Sequence, residues 1–528
     1  MMRSISPQWK KTKDLYINWL ITSQLRKFFS KNLHYENLSM WWLTKVYEKD
    51  ALNNPEWFCQ LNNTFNNKKA TNSNSNINLF LEFIKILLKL SKTIILLMFI
   101  KCFYRKKNYK TSPSHCFHVH LSNLSNFKND FIDKQYGSIS LENKKICYAV
   151  QLPYNLSLIF NFFKNKKKLN RIPVNFYIIN NYLKFTSVLK VFYETSKNLL
   201  YLNRELSKKN YFIIGSKDCS KILKPLLIES FFGTIQFSLL NGISLQNLNN
   251  TKKFKTFTSY LEFFPSSRSI YYFLKKEKNL KLISINHANF SENMLAYCLD
   301  KREFSNKNDF LNFSPSPDIF LTQGEKYFDK LKKIFPKKKI KQIGSLKLGI
   351  QNIKIKKNNN AKKKFISGSR KIISIFTSTH DYLGMTEILN NSDMSNYFLI
   401  LRPHPYYRFK TISHFKKDAK FKFHLLDDLS PREIISISDF VLSGDSSLCY
   451  EAAILGKKNT LRLYNEKFHP LFDLDDGITI VKDSKSLDKY LNNKIKIKNL
   501  SPKILIKKFF FKYDKKAHIR FKNILKKI

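Results

Sequence analysis

Asp439 to Leu463 reads DFVLSGDSSLCYEAAILGKKNTLRL. An apolar run, Phe440 to Leu442, ends in a loop of small polar residues. A short helical stretch follows, stops at Gly456, and gives way to a second apolar run, Thr460 to Leu463. Strand, loop, helix, glycine, strand is the repeating unit of a parallel α/β sheet. The loop Ser443, Gly444, Asp445, Ser446, Ser447 opens the helix, where free backbone N–H groups and the helix dipole favour an anion. Ser446 and Ser447 add hydroxyl donors; the plain alternative for both is N-capping. Glu451 lies one turn deeper on the side of Ser447, placed to accept from ribose hydroxyls or else to serve as a helix-surface carboxylate. Gly456 stands where a helix-ending glycine belongs. The GDSSL run lacks the final glycine of a nucleophile elbow, which argues against a serine hydrolase.

Working outward, the same alternation extends over 371–499. Apolar runs at Lys371 to Phe376, Tyr397 to Leu401, His424 to Leu426 and Ile478 to Val481 read as further strands, with helices between, among them Pro431 to Ile437. Ligands of a parallel α/β sheet bind beyond the carboxyl ends of its strands. Thr377, Ser378, Thr379 and His380 follow the first of these runs. Arg402, Pro403, His404 and Pro405 follow the second. Arg402 can take a phosphate bidentately, and His404 can donate to the phosphate oxygen that gains charge as a leaving group departs; otherwise both belong to a Pro-stiffened structural turn.

A first alternating region covers 110–345, with runs at Phe117 to Leu121, Ile146 to Gln151, Val174 to Ile179, Tyr211 to Ile214, Phe254 to Tyr260, Leu282 to Ile285, Ile319 to Thr322 and Lys341 to Ile343. Helical stretches such as Ile270 to Lys278 and Lys326 to Ile334 separate several of them. Glu262 follows one strand and His287 another. Either could take a proton from an acceptor hydroxyl, or be a structural group. The remaining divisions are a helical segment over 1–65, a polar linker and amphipathic helix over 66–109, a Lys/Asn-rich connector over 346–370, and a basic helix over 500–528.

The 528 residues suffice for two or three hydrophobic cores. The formal charge of +54 suits nucleic acid or an anionic membrane. Lys, Asn, Ile and Phe are abundant together while Gly numbers only 12, the signature of an AT-rich genome. No nucleic-acid module is evident, so nucleic acid is not an expected partner; peripheral contact with the anionic face of a membrane is. The N-terminal twenty residues have an interrupted apolar run and no small-residue cleavage site, so no signal peptide is expected. Seven scattered cysteines without C-x-x-C predict a reduced, cytoplasmic protein. Leu79 to Tyr104 carries Lys85, Lys89, Lys92 and Lys101, so it is too interrupted to span a bilayer. Glu82, Lys85, Lys89 and Lys92 share one helical face, which predicts an amphipathic helix packed on the core or lying at a membrane interface.

Two metal patterns carry little weight: His115, Cys116, His118 and His120 on one strand, and the D-x-D of Asp473 and Asp475. No metal or cofactor is expected. On its motifs the chain resembles the GT-B class of glycosyltransferases, and more narrowly the bacterial capsule and lipopolysaccharide biosynthesis proteins related to polysialyltransferases and CDP-glycerol glycerophosphotransferases. The resemblance rests on the HP and SS motifs at His404 and Ser446–Ser447, on IFLTQGE at Ile319 to Glu325 through Ile343 to Ser345, on Tyr260 to Glu262 with Asn286–His287, and on Trp41–Trp42 with Glu48–Lys49. It implies two Rossmann-like domains facing across a cleft, with an N-terminal helical extension. It implies that His404, Ser446 and Ser447 hold a nucleotide phosphate and that Glu262 is the general base. The expected reaction is metal-independent transfer of a sugar from a nucleotide-sugar donor to a glycan or lipid-linked glycan acceptor. A nucleotide-sugar 2-epimerase and a non-catalytic glycan-binding scaffold share the architecture. The sequence departs from the family pattern at Glu262-Phe263-Phe264, where an acidic pair and glycine are usual, and at Asn286-His287-Ala288.

Overall fold

The computed structural model describes residues 7–49, 56–66, 79–104, 113–120, 136, 145–152, 175–260, 263–286, 291, 293–304, 309–346, 370–378, 381–466, 470, 472–512, 514 and 516–528. The apolar runs form two separate sheets, parallel throughout. The first contains β1 (His115–His120), β2 (Ile146–Gln151), β3 (Asn175–Ile178), β4 (Thr256–Ser259), β5 (Lys281–Ile285), β6 (Ile319–Thr322) and β7 (Ile340–Gln342). Their spatial order is β3-β2-β1-β4-β5-β6-β7. The second contains β8 (Lys371–Phe376), β9 (Tyr397–Arg402), β10 (Phe440–Ser443), β11 (Thr460–Leu463) and β12 (Thr479–Val481), in the order β9-β8-β10-β11-β12. Both are doubly wound orders, with the chain reversing direction between β1 and β4 and between β8 and β10. The fold is α/β with two Rossmann-like domains, the GT-B-like architecture.

The strands are buried on both faces, which is why they read as continuous apolar runs rather than alternating ones. Helices α1 (Pro7–Thr22), α2 (Gln24–Asn32) and α3 (Glu56–Phe65) precede the long α4 (Leu79–Phe103). They share one core with α5 (Phe185–Lys208), α6 (Ser220–Phe231) and α7 (Thr234–Lys252), centred on Trp41, Trp42, Phe29 and Phe231. The N-terminal helices are therefore packed onto the first domain as an extension of its helical layer. Ser220–Lys252 is long and apolar enough to cross a membrane, but 72% of that window is buried, so it is a pair of core helices. In α7 the polar residues Gln236, Asn241 and Ser244 are buried as well, which erases any amphipathic pattern.

Helices α8 (Pro265–Lys275) and α9 (Glu325–Lys332) complete the first domain. In the second, α10 (Tyr382–Asn390), α11 (Arg408–Asp418), α12 (Pro431–Ile437), α13 (Leu448–Ile454) and α14 (Ser484–Leu491) separate or follow the strands. The start of α12 shows its sequence signal directly: Ser430 and Glu433 form a reciprocal capping box with Pro431 in the first turn.

Three expected elements differ. Tyr211 to Ile214 is not a sheet strand: Ile213–Ile214 pairs with Lys217–Asp218 in a tight hairpin turning at Gly215. His424 to Leu426 contributes only a single bridge between His424 and Ile400. The expected terminal helix is two, α15 (Pro502–Phe510) and α16 (Ala517–Lys526), broken at Phe511, whose φ is 60°. Helix α15 packs between α9 and α13 through Leu505, Phe509 and Phe510. Helix α16 returns to the first sheet, where Phe521 and Leu525 join Phe117, Ile283 and Ile343. The chain thus ends by tying both domains together.

Residues past the carboxyl ends of β5 and β6 meet the loop past β11. Ser291 Oγ donates to Asp473 Oδ1 at 2.8 Å, Asn293 Nδ2 donates to the Phe472 carbonyl at 3.2 Å, and Lys326 pairs with Asp473 and Asp476. The carboxyl edges of the two sheets are accordingly turned toward each other.

Candidate functional site

The crevice between the carboxyl ends of β8 and β10 is the reversal point of the second sheet, where such sheets bind ligands. Pairing register aligns its walls. Phe376 stands opposite Arg402 on one side and Ser443 on the other, and Ser443 stands opposite Arg462. The loops leaving β8, β9 and β10 therefore start at one level.

Beyond β8, Thr377 and Ser378 are buried, and Thr377 Oγ1 has no hydrogen-bond partner among the described residues. Beyond β10, Gly444 N–H donates to the Phe376 carbonyl at 3.1 Å, and Ser446 Oγ accepts from Leu448 N–H at 3.4 Å. Ser443 is buried, whereas Ser446 and Ser447 are half-buried. Among the described residues no partner is recorded for the N–H groups of Ser446 and Ser447. Gly456 has φ +86° and ends α13, with Lys457 N–H donating to the Ala452 carbonyl at 3.0 Å, as a glycine C-cap requires.

Asp381, which the sequence does not single out, sits under this loop. Its carboxylate accepts from Ser378 N–H at 2.7 Å and from Asp445 N–H at 2.5 Å, stitching the loops beyond β8 and β10 together. A Cβ at Gly444 would lie 1.9 Å from Asp381 Oδ2, so only glycine admits this approach. Burial, and next the charge of Asp445, push the Asp381 carboxyl up to about 7 against the opposing N–H donors and Arg462. Arg462, 1% exposed, pairs with Asp445 and donates to the Asp473 and Phe472 carbonyls at 2.8 Å each. A lone arginine in the strand TLRL was the available signal, since a buried guanidinium requires a partner. Asp381 gave no comparable signal, because its partners come from two separate loops.

The other expected residues spread around the crevice. Arg402 donates to the Leu426 carbonyl at 3.3 Å and lies 3.4 Å from Asp427, which also takes Arg408 at 2.5 Å. Its guanidinium is thus shared. His404 is exposed on the turn after β9. Glu451 is buried, with Oε2 3.6 Å from Arg432 Nε. Glu262, His287, Thr379 and His380 lie outside the described residues. At the first sheet's reversal point, His118 and His120 share one face with ring centroids 5.2 Å apart. Burial, joined at His118 by the charge of His120, lowers them to about 3 and about 4, so both are neutral at pH 7. Asp473, Asp475 and Asp476 cluster closely enough to hold a cation. The ammonium of Lys326 reaches Asp473 and Asp476, and that of Lys508 lies 3.2 Å from Asp476. All seven cysteines are free thiols.

No family model matches the chain, and no curated protein matches it in sequence. Among solved structures it is similar to the UDP-GlcNAc 2-epimerase of Neisseria meningitidis bound to UDP-GlcNAc, at 13% identity and a TM-score of 0.43, covering 78% of this chain and 99% of that one. It is similar to a putative UDP-N-acetylglucosamine 2-epimerase from Listeria monocytogenes, at 11% identity and a TM-score of 0.44 over 79% and 96% of the two chains. It is also similar to the wall teichoic acid polymerase TagF soaked with CDPG, at 12% identity and a TM-score of 0.39 over 85% and 98%. These are distant likenesses of overall shape, and the chemistry of the crevice rests on its own residues.

The N–H groups and half-buried hydroxyls of Ser446 and Ser447 stand in the loop beyond β10, at the reversal point of the sheet; the Thr377 hydroxyl is buried beyond β8, and Arg402 ends β9. Donors of this kind suit phosphate oxygens.

Proposed function

We propose that the protein is a glycosyltransferase that moves a sugar from a nucleotide-activated donor to a surface polysaccharide or lipopolysaccharide acceptor, without a metal, in the cytoplasm. The observation that carries this reading is the loop beyond β10 at the sheet's reversal point, where Ser446 and Ser447 are half-buried and their N–H groups have no partner among the described residues. In the proposal Thr377, Ser378, Ser443, Gly444, Ser446 and Ser447 cradle the nucleotide phosphates. Arg402 and His404 stabilise charge on the departing phosphate, and Glu451 sets the ribose side. Glu262 or His287, beyond the opposing strands β4 and β5, takes the proton from the acceptor hydroxyl. The resemblance noted at HP and SS supports the donor half of this assignment.

The test offers purified protein a panel of CMP-, UDP- and GDP-sugars and measures binding and sugar release. Binding of one nucleotide class, weakened in His404→Ala, is the expected result. Absence of binding and release, with His404→Ala indistinguishable from wild type, refutes it. An epimerase would release a new sugar with no acceptor present, whereas a transferase turns over fully only with one. A non-catalytic scaffold would be unaffected by Glu262→Ala.

A further inference from the structure

Helices α4 and α5 lie side by side, their inner faces joined in one core through Ile86, Leu97, Val188, Val191 and Leu199. Lys101 of α4 lies over the Phe185 ring of α5 at 4.4 Å. Their outer faces are apolar. Of the eighteen large hydrophobic side chains exposed among the described residues, six are on α4 and four on α5. On α4, Leu81, Leu88, Ile95 and Met98 recur at steps of seven, seven and three, which places them on one face. Each is more than half exposed. On α5, Leu189, Tyr193 and Leu200 recur at four and seven and are also more than half exposed. Scattered apolar side chains need no explanation, but a two-helix concentration marks an interaction surface.

The charges around it identify the occupant. The two helices carry eight basic residues (Lys85, Lys89, Lys92, Lys101, Lys190, Lys197, Arg204, Lys208) against Glu82, Glu194 and Glu205. Lys85, Lys92, Lys190 and Lys197 are exposed beside the apolar residues. A second copy of the chain would bring the same cations against this face, within a protein already at +54. Nucleic acid would leave the leucines and isoleucines unburied. Apolar side chains flanked by lysines match an acyl boundary under anionic headgroups. We infer that the outer face of α4 and α5 docks on an anionic lipid bilayer.

One end of the face meets the first sheet's carboxyl edge. The turn Ile179–Tyr182 joins β3 to α5, and Asn181 Nδ2 donates to the carbonyl of Tyr104, just past α4, at 3.4 Å. Docking therefore sets the bilayer against the edge from which, on the proposed function, a lipid-linked acceptor would arrive. The docking itself does not depend on that function.

The test is co-sedimentation of the full chain with vesicles of phosphatidylcholine alone and of phosphatidylcholine mixed with phosphatidylglycerol, run with analytical ultracentrifugation. Wild type is expected to sediment with the anionic vesicles and to be released by high salt. Leu88→Glu combined with Ile95→Glu should lower apparent vesicle affinity by about tenfold or more, with circular dichroism unchanged. Ile519→Glu, at an exposed isoleucine of α16, should bind as wild type does. Equal binding to neutral vesicles, or binding that survives the double substitution, overturns the inference. So does a wild-type dimer that the double substitution dissociates, in a protein that ignores vesicles. None of these readouts requires sugar transfer, so a failure of docking is distinct from a failure of the enzymatic reading.

Discussion

Replacing Asp381 with asparagine tests whether the crevice is built around a strained carboxyl. The folded protein holds this group up to about 7, from an ordinary value of 3.8, through burial and the neighbouring Asp445 charge. A carboxyl whose folded pKa is raised binds its proton more tightly in the native state than in the unfolded one. Stability therefore falls as pH rises from the unfolded value through the folded one, and the penalty is complete above it. At 1.36 kcal/mol per unit the full penalty is about 4 kcal/mol, and the part that develops between about pH 5 and pH 8.5 is about 3 kcal/mol. Asparagine cannot ionise, so it escapes this penalty. It has one carbonyl oxygen for the two N–H donors of Ser378 and Asp445, and the unmatched donor costs about 1–3 kcal/mol at every pH.

Asp381→Asn is therefore expected to be equal to or less stable than wild type at pH 5 and more stable at pH 8.5. The difference between the proteins should move by about 3 kcal/mol in favour of the variant across that range. Urea unfolding followed by far-UV circular dichroism at a series of pH values measures it. Using the difference between two proteins cancels every other titrating group. Tryptophan fluorescence reports separately on the first domain, because Trp9, Trp19, Trp41, Trp42 and Trp57 all belong to its helical layer or precede its sheet. A stability difference that stays constant from pH 5 to pH 8.5 refutes the raised carboxyl and the burial argument behind it.

Gly444→Ala places a methyl group against the Asp381 carboxylate and should cost about 2–4 kcal/mol in urea unfolding; the same alanine in an Asp381→Ala background should cost less. Arg462→Met leaves Asp445 buried without its cation and should lose about 3–5 kcal/mol, read as a lowered melting temperature, with partial recovery when Asp445→Leu is added. Thr377→Val removes a buried hydroxyl that has no partner among the described residues. It should leave the melting temperature unchanged or higher, and weaken nucleotide affinity by about fivefold in calorimetric titration.

Legibility follows how local each determinant is. Strands β8, β10 and β11 were legible because a strand buried on both faces is a short apolar run, and Ser443 to Ser447 was legible because small residues must follow it. The loop beyond β10 and the helix it opens thus lie within one contiguous stretch. The stitch by Asp381 was not legible, because its meaning depends on Gly444, some sixty residues later, leaving room for a carboxylate. Helix α7 carries no local signal for a different reason: it is buried all round, polar residues included, so the amphipathic period that reveals a surface helix is absent. His424 to Leu426 reads as a strand but makes a single bridge, because so short a run is equally compatible with a strand and with a loop crossing a core.

The acidic pattern at Asp473 to Asp476 shows how a motif changes meaning once the partner domain is in place. As sequence, D-x-D offers a cation site or nothing. In the fold the cations are Lys326 of the first domain and Lys508 of α15, and Tyr450 of α13 donates to Asp476 Oδ2 at 2.9 Å. Asp473 meanwhile accepts from Ser291 and Asn293, and its own carbonyl holds Arg462. Arg462 holds Asp445, whose N–H is held by Asp381. A continuous polar chain therefore runs from the first domain's carboxyl edge to the loop that lines the crevice. Groups so placed are satisfied only with the two domains in this relative position, and rotating one domain would leave buried charges unpaired. The acidic cluster thus joins the first domain's carboxyl edge to the loops of the second. Arg462 therefore joins two things that look independent in the sequence, the domain joint and the floor of the candidate donor site.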